Sequence, residues 1–176
     1  MKFYFLIIAL GWSSFIYGQK DWMPYRSPEG QFRILTQGIF KKSVTHAKTG
    51  IGKIDINTFV FPKEPKAEET IYMITFYDLP EGSIHSDSTQ AVKTFFDETI
   101  SAAVDNMAGQ LLYQSDITVD GFYGRQWRIN YNDGTKSIRT QAFLVENRYY
   151  ILNVVNDNEK NVTTSVNHFF NSFRLL

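Results

Sequence analysis

The chain contains no cysteine among its 176 residues. This absence excludes disulfide bonds, thiolate metal ligands, a cysteine nucleophile and a lipid anchor attached to cysteine. The chain also lacks an excess of charge of one sign, because 18 Lys and Arg residues balance 18 Asp and Glu residues. Non-specific nucleic-acid binders neutralise phosphates with surplus cations, so we expect no nucleic-acid partner.

Histidine is scarce, and the three histidines present form no metal-binding pattern. His46, His85 and His168 fall on a predicted strand, a predicted loop and a predicted helix. None has a second histidine four residues away, the spacing that places two imidazoles on one helix face around a zinc ion. Residues 157–159 lack the alternating acids and central glycine of a calcium-binding loop. We therefore expect neither a metal nor a cofactor.

Long apolar runs are absent except at the N-terminus. Lys2 precedes the apolar stretch 3–10, and residues 11–18 after it include glycines and serines. This order is typical of a secretory signal peptide, and the stretch is shorter than the about 20 residues that span a bilayer. We expect residues 1–18 to be a signal peptide cleaved after Gly18. The mature protein would then be exported, periplasmic or extracellular, without a membrane span; a retained signal anchor is the alternative.

Aromatic residues are abundant, with 15 Phe, 10 Tyr and 3 Trp. A chain of this length is ordinary for one domain, and it buries about two thirds of the surface that its unfolded form exposes. No segment repeats at a fixed period. We therefore predict that residues 19–176 form a single domain with a core rich in aromatic side chains.

Apolar residues alternate at a spacing of two in most of the chain and recur at three and four in two segments, which predicts eight strands and two helices. The first four predicted strands are at 31–36, 40–49, 53–61 and 70–78, and a glycine turn joins the second to the third. A helix follows, capped at 86–87 and ended by Gly109. Four more strands, at 110–119, 123–131, 137–146 and 149–155, lead to a last helix capped at 156–158 with an apolar stripe over 162–173. Residues 21–30, with two prolines, are interpreted as an irregular lead-in segment.

The connections between strands are short enough for hairpins, and residues 132–134 (Asn-Asp-Gly) are a strong hairpin signal. The fold class is therefore predicted as α+β, with a largely antiparallel sheet and helices stacked on it.

A polar loop before the first helix contains Ser83, His85 and Asp87. Serine, histidine and an acid are the residue types of a nucleophile, its base and the group that orients the base. No Gly-x-Ser-x-Gly elbow surrounds the serines, however, and neighbours on one short loop seldom converge in this way. We favour a binding loop that includes His85 and Asp87, with a hydrolase as the weaker alternative.

Arg125 shares the apolar side of its strand with Tyr123 and Trp127. An unpaired buried guanidinium is costly, so this arginine must either reach a partner or emerge at the rim of the sheet. Its position near the start of the strand favours the rim, where arginine beside aromatics resembles an interface hot spot. Packing of the arginine stem in the interior is the alternative. Arg139 and Tyr149 on adjacent strands are expected to extend the same surface.

Two segments resemble the Mog1/PsbP-like superfamily. Residues 25–34 (Tyr-Arg-Ser-Pro-Glu-Gly-Gln-Phe-Arg-Ile) resemble its Pro-Gly turn before a short strand, and residues 169–175 (Phe-Phe-Asn-Ser-Phe-Arg-Leu) resemble its closing helix with a Ser-Phe pair. The resemblance implies an α/β/α sandwich. It also implies non-enzymatic roles, since members are best known as accessory or adaptor proteins such as the extrinsic photosystem subunit and the Ran-binding Mog1. It transfers no functional residue to this chain.

The leading expectation is an exported, non-catalytic binding or accessory module, monomeric, with a protein or small molecule as its unidentified partner. Its expected surface consists of Arg125, Trp127, Arg139, Tyr149, His85 and Asp87. Two alternatives remain. A carrier of a small apolar ligand or lipid requires a cavity of about 300 Å³ or more between helix and sheet. A hydrolase requires a serine in contact with His85.

Overall fold

The computed structural model describes residues 22–49, 52–62, 70–157 and 164–176. Three of the predicted features lie outside these residues wholly or in part: the signal peptide at 1–18, the glycine turn at 50–51 and the start of the last helix at 158–163.

The described residues form ten strands and two helices. In chain order they are β1 (Met23–Ser27), β2 (Phe32–Thr36), β3 (Lys41–Thr49), β4 (Gly52–Pro62), β5 (Ile71–Asp78), α1 (Thr89–Asn106), β6 (Gln110–Val119), β7 (Phe122–Tyr131), β8 (Lys136–Val145), β9 (Arg148–Asp157), α2 (Thr164–Asn171) and β10 (Arg174–Leu175).

Seven strands form one large antiparallel sheet in the order β3-β4-β5-β9-β8-β7-β6. The hairpin predicted between β7 and β8 is confirmed, because Asn132, Asp133 and Gly134 all have positive φ angles (52°, 52° and 77°). Asn, Asp and Gly adopt this conformation more readily than other residues, which is why that tripeptide predicts a turn.

A second sheet was not predicted. It has three strands in the order β1-β2-β10, so the prediction of eight strands is wrong by two. Strand β1 contains Pro24, which lacks a backbone N–H; β1 lies at the sheet edge, where proline is tolerated. Strand β10 has only two residues, too few for any alternation to be visible.

Helix α1 covers one face of the large sheet. Its buried residues Val92, Phe96 and Ile100 pack in a cluster that includes Trp127 and Tyr149. The helix begins one residue later than the predicted cap: its N-cap is Ser88, whose side chain makes no capping hydrogen bond.

Helix α2 and the small sheet cover the opposite face. Their apolar side chains, among them Phe32 and Phe169, pack with Phe59, Phe76 and Tyr150 of the large sheet. The predicted α+β class and the largely antiparallel sheet with a helix on each face are therefore confirmed.

Gly124 on β7 allows one close contact in this second layer. The Phe143 ring of β8 lies against the Gly124 backbone and stacks on Phe173, with ring centroids 5.8 Å apart and planes inclined by 4°. A side chain at position 124 would occupy the space of that ring. The contact joins the large sheet to the segment that connects α2 with β10.

Replacing Gly124 with alanine is expected to destabilise the fold. The added Cβ would lie 2.3 Å from the backbone oxygen of Ala142 and 2.4 Å from a ring carbon of Phe143. Because backbone cannot yield as a flexible side chain does, we expect Gly124→Ala to lower the free energy of unfolding by about 2 kcal/mol or more. Urea unfolding followed by tryptophan fluorescence measures the change.

The control variant is Thr118→Ala, at an exposed position on the neighbouring strand β6. It should change the free energy of unfolding by less than about 0.5 kcal/mol. Equal effects of the two variants would contradict the close packing of Phe143 on β7.

Candidate functional site

The polar loop that contains His85 is fixed to the turn between β8 and β9. Leu79 N donates to the Asn147 carbonyl (2.8 Å), and Asn147 Nδ2 donates to the Leu79 carbonyl (3.2 Å). Further along the loop, Ser86 N donates to the Glu146 carbonyl (2.9 Å), and Glu146 N donates to Ser86 Oγ (3.0 Å). Two reciprocal pairs of hydrogen bonds therefore tie a loop to a turn about sixty residues away in the chain.

A groove of about 350 Å³ lies along this loop. Its lining residues combine backbone, hydroxyl, imidazole, carboxylate and amide groups: Pro80, Glu81, Gly82, Ser83, Ile84, His85, Ser88 and Asn147. The volume is at the lower end of the range of about 300–1,000 Å³ found for small-molecule sites. The groove therefore offers hydrogen-bond donors and acceptors on a frame that is fixed at both ends.

His85 lines this groove and contacts Asp87. The distance between His85 Nδ1 and Asp87 Oδ1 is 3.0 Å, and the two side chains are 53% and 76% exposed. Both groups are accessible to a ligand. The predicted binding loop thus has an accessible, ordered position in the structure, and its binding role remains a prediction.

The three serines of this loop have partners other than His85. Ser83 Oγ donates to the Pro80 carbonyl (2.6 Å), Ser86 Oγ accepts from Glu146 N, and Ser88 Oγ lies 3.4 Å from Asp87 Oδ1. Within the described loop, no serine hydroxyl is hydrogen-bonded to the His85 imidazole. The geometry required for a serine nucleophile and its base is therefore not assembled here.

Throughout the described parts of the chain, no group of three or more His, Asp and Glu side chains is placed to hold a metal ion.

Arg125 is buried between α1 and the sheet, so the expectation that it emerges at the rim is wrong. Its side chain is 11% exposed. Nη1 donates to Asp97 Oδ1 on α1 (2.6 Å) and to Gln114 Oε1 on β6 (3.0 Å). Nε lies 3.1 Å from Asp116 Oδ1. Sequence reasoning missed these partners because each comes from another element, and no spacing relates Asp97 to a residue 28 positions later.

The charge of Arg125 is maintained by these partners. Burial by itself lowers the pKa of Arg125, but hydrogen bonds to Tyr123 and Asp97 outweigh it, and the pKa is raised above its ordinary value. The guanidinium is therefore charged, and it attaches α1 to the edge of the sheet.

Two other predicted surface residues are also buried under α1. Trp127 and Tyr149 are 4% and 1% exposed. Both pack with the apolar stripe of the helix, and the Tyr149 ring contacts Phe95 and Phe96 edge-on. Neither residue is available to a partner at the surface of this structure.

Arg139 lies on the opposite face of the large sheet. Its Nη1 donates to Asn167 Oδ1 of α2 (3.2 Å), and its guanidinium carbon lies 5.4 Å from the centroid of the Phe170 ring. The six predicted site residues are therefore separated. Only His85 and Asp87 are both adjacent and exposed. The other four are elsewhere: Arg125, Trp127 and Tyr149 lie beneath α1, and Arg139 lies on the α2 face of the sheet.

An apolar ligand would need an enclosed cavity in the interior. The crevice among Trp22, Phe61, Tyr72 and Phe169 leaves no space that a water molecule can enter. An open groove of about 300 Å³ lies between α2 and the sheet, but Phe143, Phe170 and Phe173 at its base are buried against neighbouring side chains. Neither place provides an enclosed apolar volume.

No helix in the described ranges is both long and apolar enough to cross a membrane.

These features define an α+β protein in which a large antiparallel sheet carries a helix on each face. Its fold is PsbP-like. The solution structure of cyanobacterial PsbP (CyanoP) from Synechocystis sp. PCC 6803 is similar to it, with a TM-score of 0.58 over 91% of this chain and 95% of that chain at 11% sequence identity. No family model matches the chain, and no curated protein matches it. The resemblance inferred from the two short segments is thus confirmed at the level of the fold.

Removing the Arg125 side chain is expected to loosen α1. Arg125→Ala loses several charge-assisted hydrogen bonds and the packing of the arginine stem, so the free energy of unfolding should fall by about 2 kcal/mol. Asp97→Ala should cost less than about 1 kcal/mol, because the Asp97 side chain is largely exposed and exposed ion pairs are screened by water. Urea unfolding of both variants measures the difference. Equal losses of unfolding free energy in the two variants would show that Arg125 is not the main attachment of α1 to the sheet.

Tyr149→Phe is expected to maintain or increase stability. The Tyr149 hydroxyl is buried and has no hydrogen-bond partner among the described residues. An unsatisfied buried polar group costs about 1–3 kcal/mol, so the variant should be up to about 1 kcal/mol more stable at neutral pH.

The same variant should change the response to alkaline pH. Burial raises the pKa of Tyr149 well above its ordinary value. Above the unfolded pKa of about 10, this tyrosine ionises in the unfolded chain and stays neutral in the folded one, so the wild type loses stability as pH rises toward the higher folded pKa. The advantage of Tyr149→Phe in urea midpoint should therefore be larger at alkaline pH than at neutral pH. The exposed-site control Tyr113→Phe should follow the wild type; a Tyr149→Phe curve parallel to it would contradict this reasoning.

Proposed function

We propose that this protein is an exported, non-catalytic binding or accessory module that engages its partner through the groove at the His85 loop. Two reciprocal pairs of hydrogen bonds fix the loop to Glu146 and Asn147 while His85 and Asp87 stay exposed, and this observation carries the proposal. A recognition surface needs such a combination, because groups that are already ordered lose little conformational freedom on binding.

The chemistry of the groove supports recognition of a polar group. The His85 imidazole, the serine hydroxyls and the Asn147 amide supply donors and acceptors within one concave surface, and Ile84 adds an apolar contact. A ligand of matching size is a short peptide segment or a small polar molecule. The groove volume of about 350 Å³ is too small to enclose a large ligand, so a protein partner would insert one loop or side chain.

The non-catalytic character is supported by the partners of the loop serines. Each of the three hydroxyls takes part in the hydrogen bonds that shape the loop, and His85 contacts Asp87 in place of a serine. A base without a nucleophile in reach has a binding or orienting role more readily than a catalytic one.

Export is supported by the N-terminal sequence. Lys2, the apolar stretch 3–10 and the small residues before position 19 have the order of a secretory signal.

An NMR titration of the ¹⁵N-labelled protein tests the proposed site. The probes are a panel of short peptides and a set of small polar molecules. We expect a binding probe to shift the backbone amides of Ser83, His85, Ser88 and Asn147, and His85→Ala to weaken that probe by about fivefold or more, the effect of losing one charged or polar contact. The matched control is Asp133→Ala, an exposed acid in the β7–β8 turn.

Three results would count against the proposal. They are shifts centred away from the groove, equal effects of His85→Ala and Asp133→Ala, and a panel in which no probe binds. Chromogenic ester, amide and phosphoester substrates provide the catalytic arm of the same experiment. Turnover by the wild type that disappears in His85→Ala would support the hydrolase alternative.

A further inference from the structure

Strand β6 forms one edge of the large sheet. Among the described residues it pairs only with β7. An edge strand presents unpaired backbone N–H and C=O groups, and natural proteins protect such edges with charge, proline, short length or a bulge. Strand β6 and the other described edge strands differ in how many of these devices they have.

Strand β6 has little charge to protect it. Asp116 is the only charged residue of its ten, and that carboxylate accepts from the Tyr123 hydroxyl (2.7 Å) and lies 3.1 Å from Arg125 Nε. Two large apolar side chains, Leu112 and Tyr113, are 44% and 40% exposed. A long edge with a single charge and exposed apolar residues favours pairing with another strand.

The other edges in the described structure are protected. Strand β3, at the far side of the same sheet, carries Lys41, Lys42 and Lys48 in nine residues. In the small sheet, β1 has five residues and contains Pro24, and β10 has two residues. Strand β6 has one irregularity, between Leu111 and Tyr113, and the residues after it have none of these protections except the single charge of Asp116. This contrast within one molecule indicates that the second half of β6 has a different role from the other edges.

We propose that β6 pairs with β6 of a second copy of this chain, in antiparallel orientation across a two-fold axis at Ser115. The two large sheets would then form one continuous sheet through the dimer. This departs from the monomer expected from the sequence.

The register follows from symmetry. A two-fold axis that relates two antiparallel neighbouring strands is perpendicular to the sheet. Because paired residues must point to the same face, the axis passes between the two copies of one residue. With the axis at Ser115, each Tyr113 lies opposite Ile117 of the second copy, and each Gln114 lies opposite Asp116. Aromatic and β-branched residues are favourable cross-strand partners, and an amide can donate to a carboxylate.

The faces of the strand agree with this register. Ile117 packs on the core cluster that contains residues of α2. Ser115 and Tyr113 precede it by two and four residues on the strand, so their side chains point to the same face. Gln114 and Asp116 point to the α1 side, where both contact Arg125. Each proposed pair therefore unites residues of one face.

Charge favours a second copy as the occupant. In this register the two Asp116 carboxylates are not opposite each other, so self-pairing meets no direct like-charge repulsion. The edge also lacks a charge pattern that would select a foreign strand, and two-fold dimers are the commonest oligomers of soluble proteins. The irregularity between Leu111 and Tyr113 limits regular pairing to the residues after it.

A single introduced cysteine tests the axis directly, since the chain has no other cysteine. Opposed residues in an antiparallel pair have Cα atoms about 4.5–5.5 Å apart, which falls within the range of about 4.4–6.8 Å that a disulfide allows. Ser115→Cys should therefore form a covalent dimer under mild oxidation. The matched control is Ser43→Cys, an exposed serine on the protected edge strand β3.

We expect the covalent dimer of Ser115→Cys to form at least about tenfold faster than that of Ser43→Cys, because pairing holds the two thiols at an effective concentration of roughly millimolar. Equal rates would overturn the proposal. The comparison is made on natively folded samples with matched circular dichroism spectra.

Analytical ultracentrifugation of the unmodified protein provides the second readout. A dimer at about 100 μM that becomes a monomer in Ser115→Lys, but persists in Ser43→Lys, supports the proposal, because two lysines on the axis repel each other. A wild-type monomer at that concentration would overturn it. So would a dimer that Ser115→Lys leaves intact, or pairing of β6 with a foreign strand alone.

Discussion

Strand β9 lies at the centre of the large sheet and is buried on both faces, and the arrangement of the other layers depends on this. Tyr149 and Tyr150 are consecutive and equally buried, at 1% exposure each, yet they point to opposite sides because side chains alternate along a strand. A sheet with apolar residues on both sides must be covered twice. Helix α1 provides one cover, and α2 with the small sheet provides the other.

The small sheet is held in position by polar contacts at the start of β9. Arg148 makes a bidentate ion pair with Asp78 (2.5 and 2.8 Å) and donates to the Glu29 carbonyl (3.1 Å). The hydrogen bond to Asp78 raises the pKa of Arg148 above its ordinary value although burial opposes it. The Tyr150 hydroxyl donates to the Gly30 carbonyl (2.8 Å). The turn between β1 and β2 is thus attached to the same strand that requires its cover.

Local pattern was sufficient to predict the strands of the large sheet and β2, because alternation of apolar residues reflects burial on a sheet. It was insufficient for β1 and β10, where proline and short length conceal the pattern. For the site, polarity identified the loop around His85. The same reasoning misplaced Arg125, since the partners that allow its burial, Asp97 and Gln114, come from other elements. Asn147 was missed for the same reason: its contact with the loop is tertiary.

The contacts that join the layers also have a kinetic consequence. Leu35 bonds to Ser172 across 137 positions, and Tyr150 bonds to Gly30 across 120. Such contacts form only after long loops close, so chains rich in them fold slowly. Until the C-terminal segment reaches β2, the second face of the large sheet has only part of its cover, and its aromatic side chains are exposed to solvent. During that half-covered stage of folding, the chain is most exposed to aggregation and proteolysis.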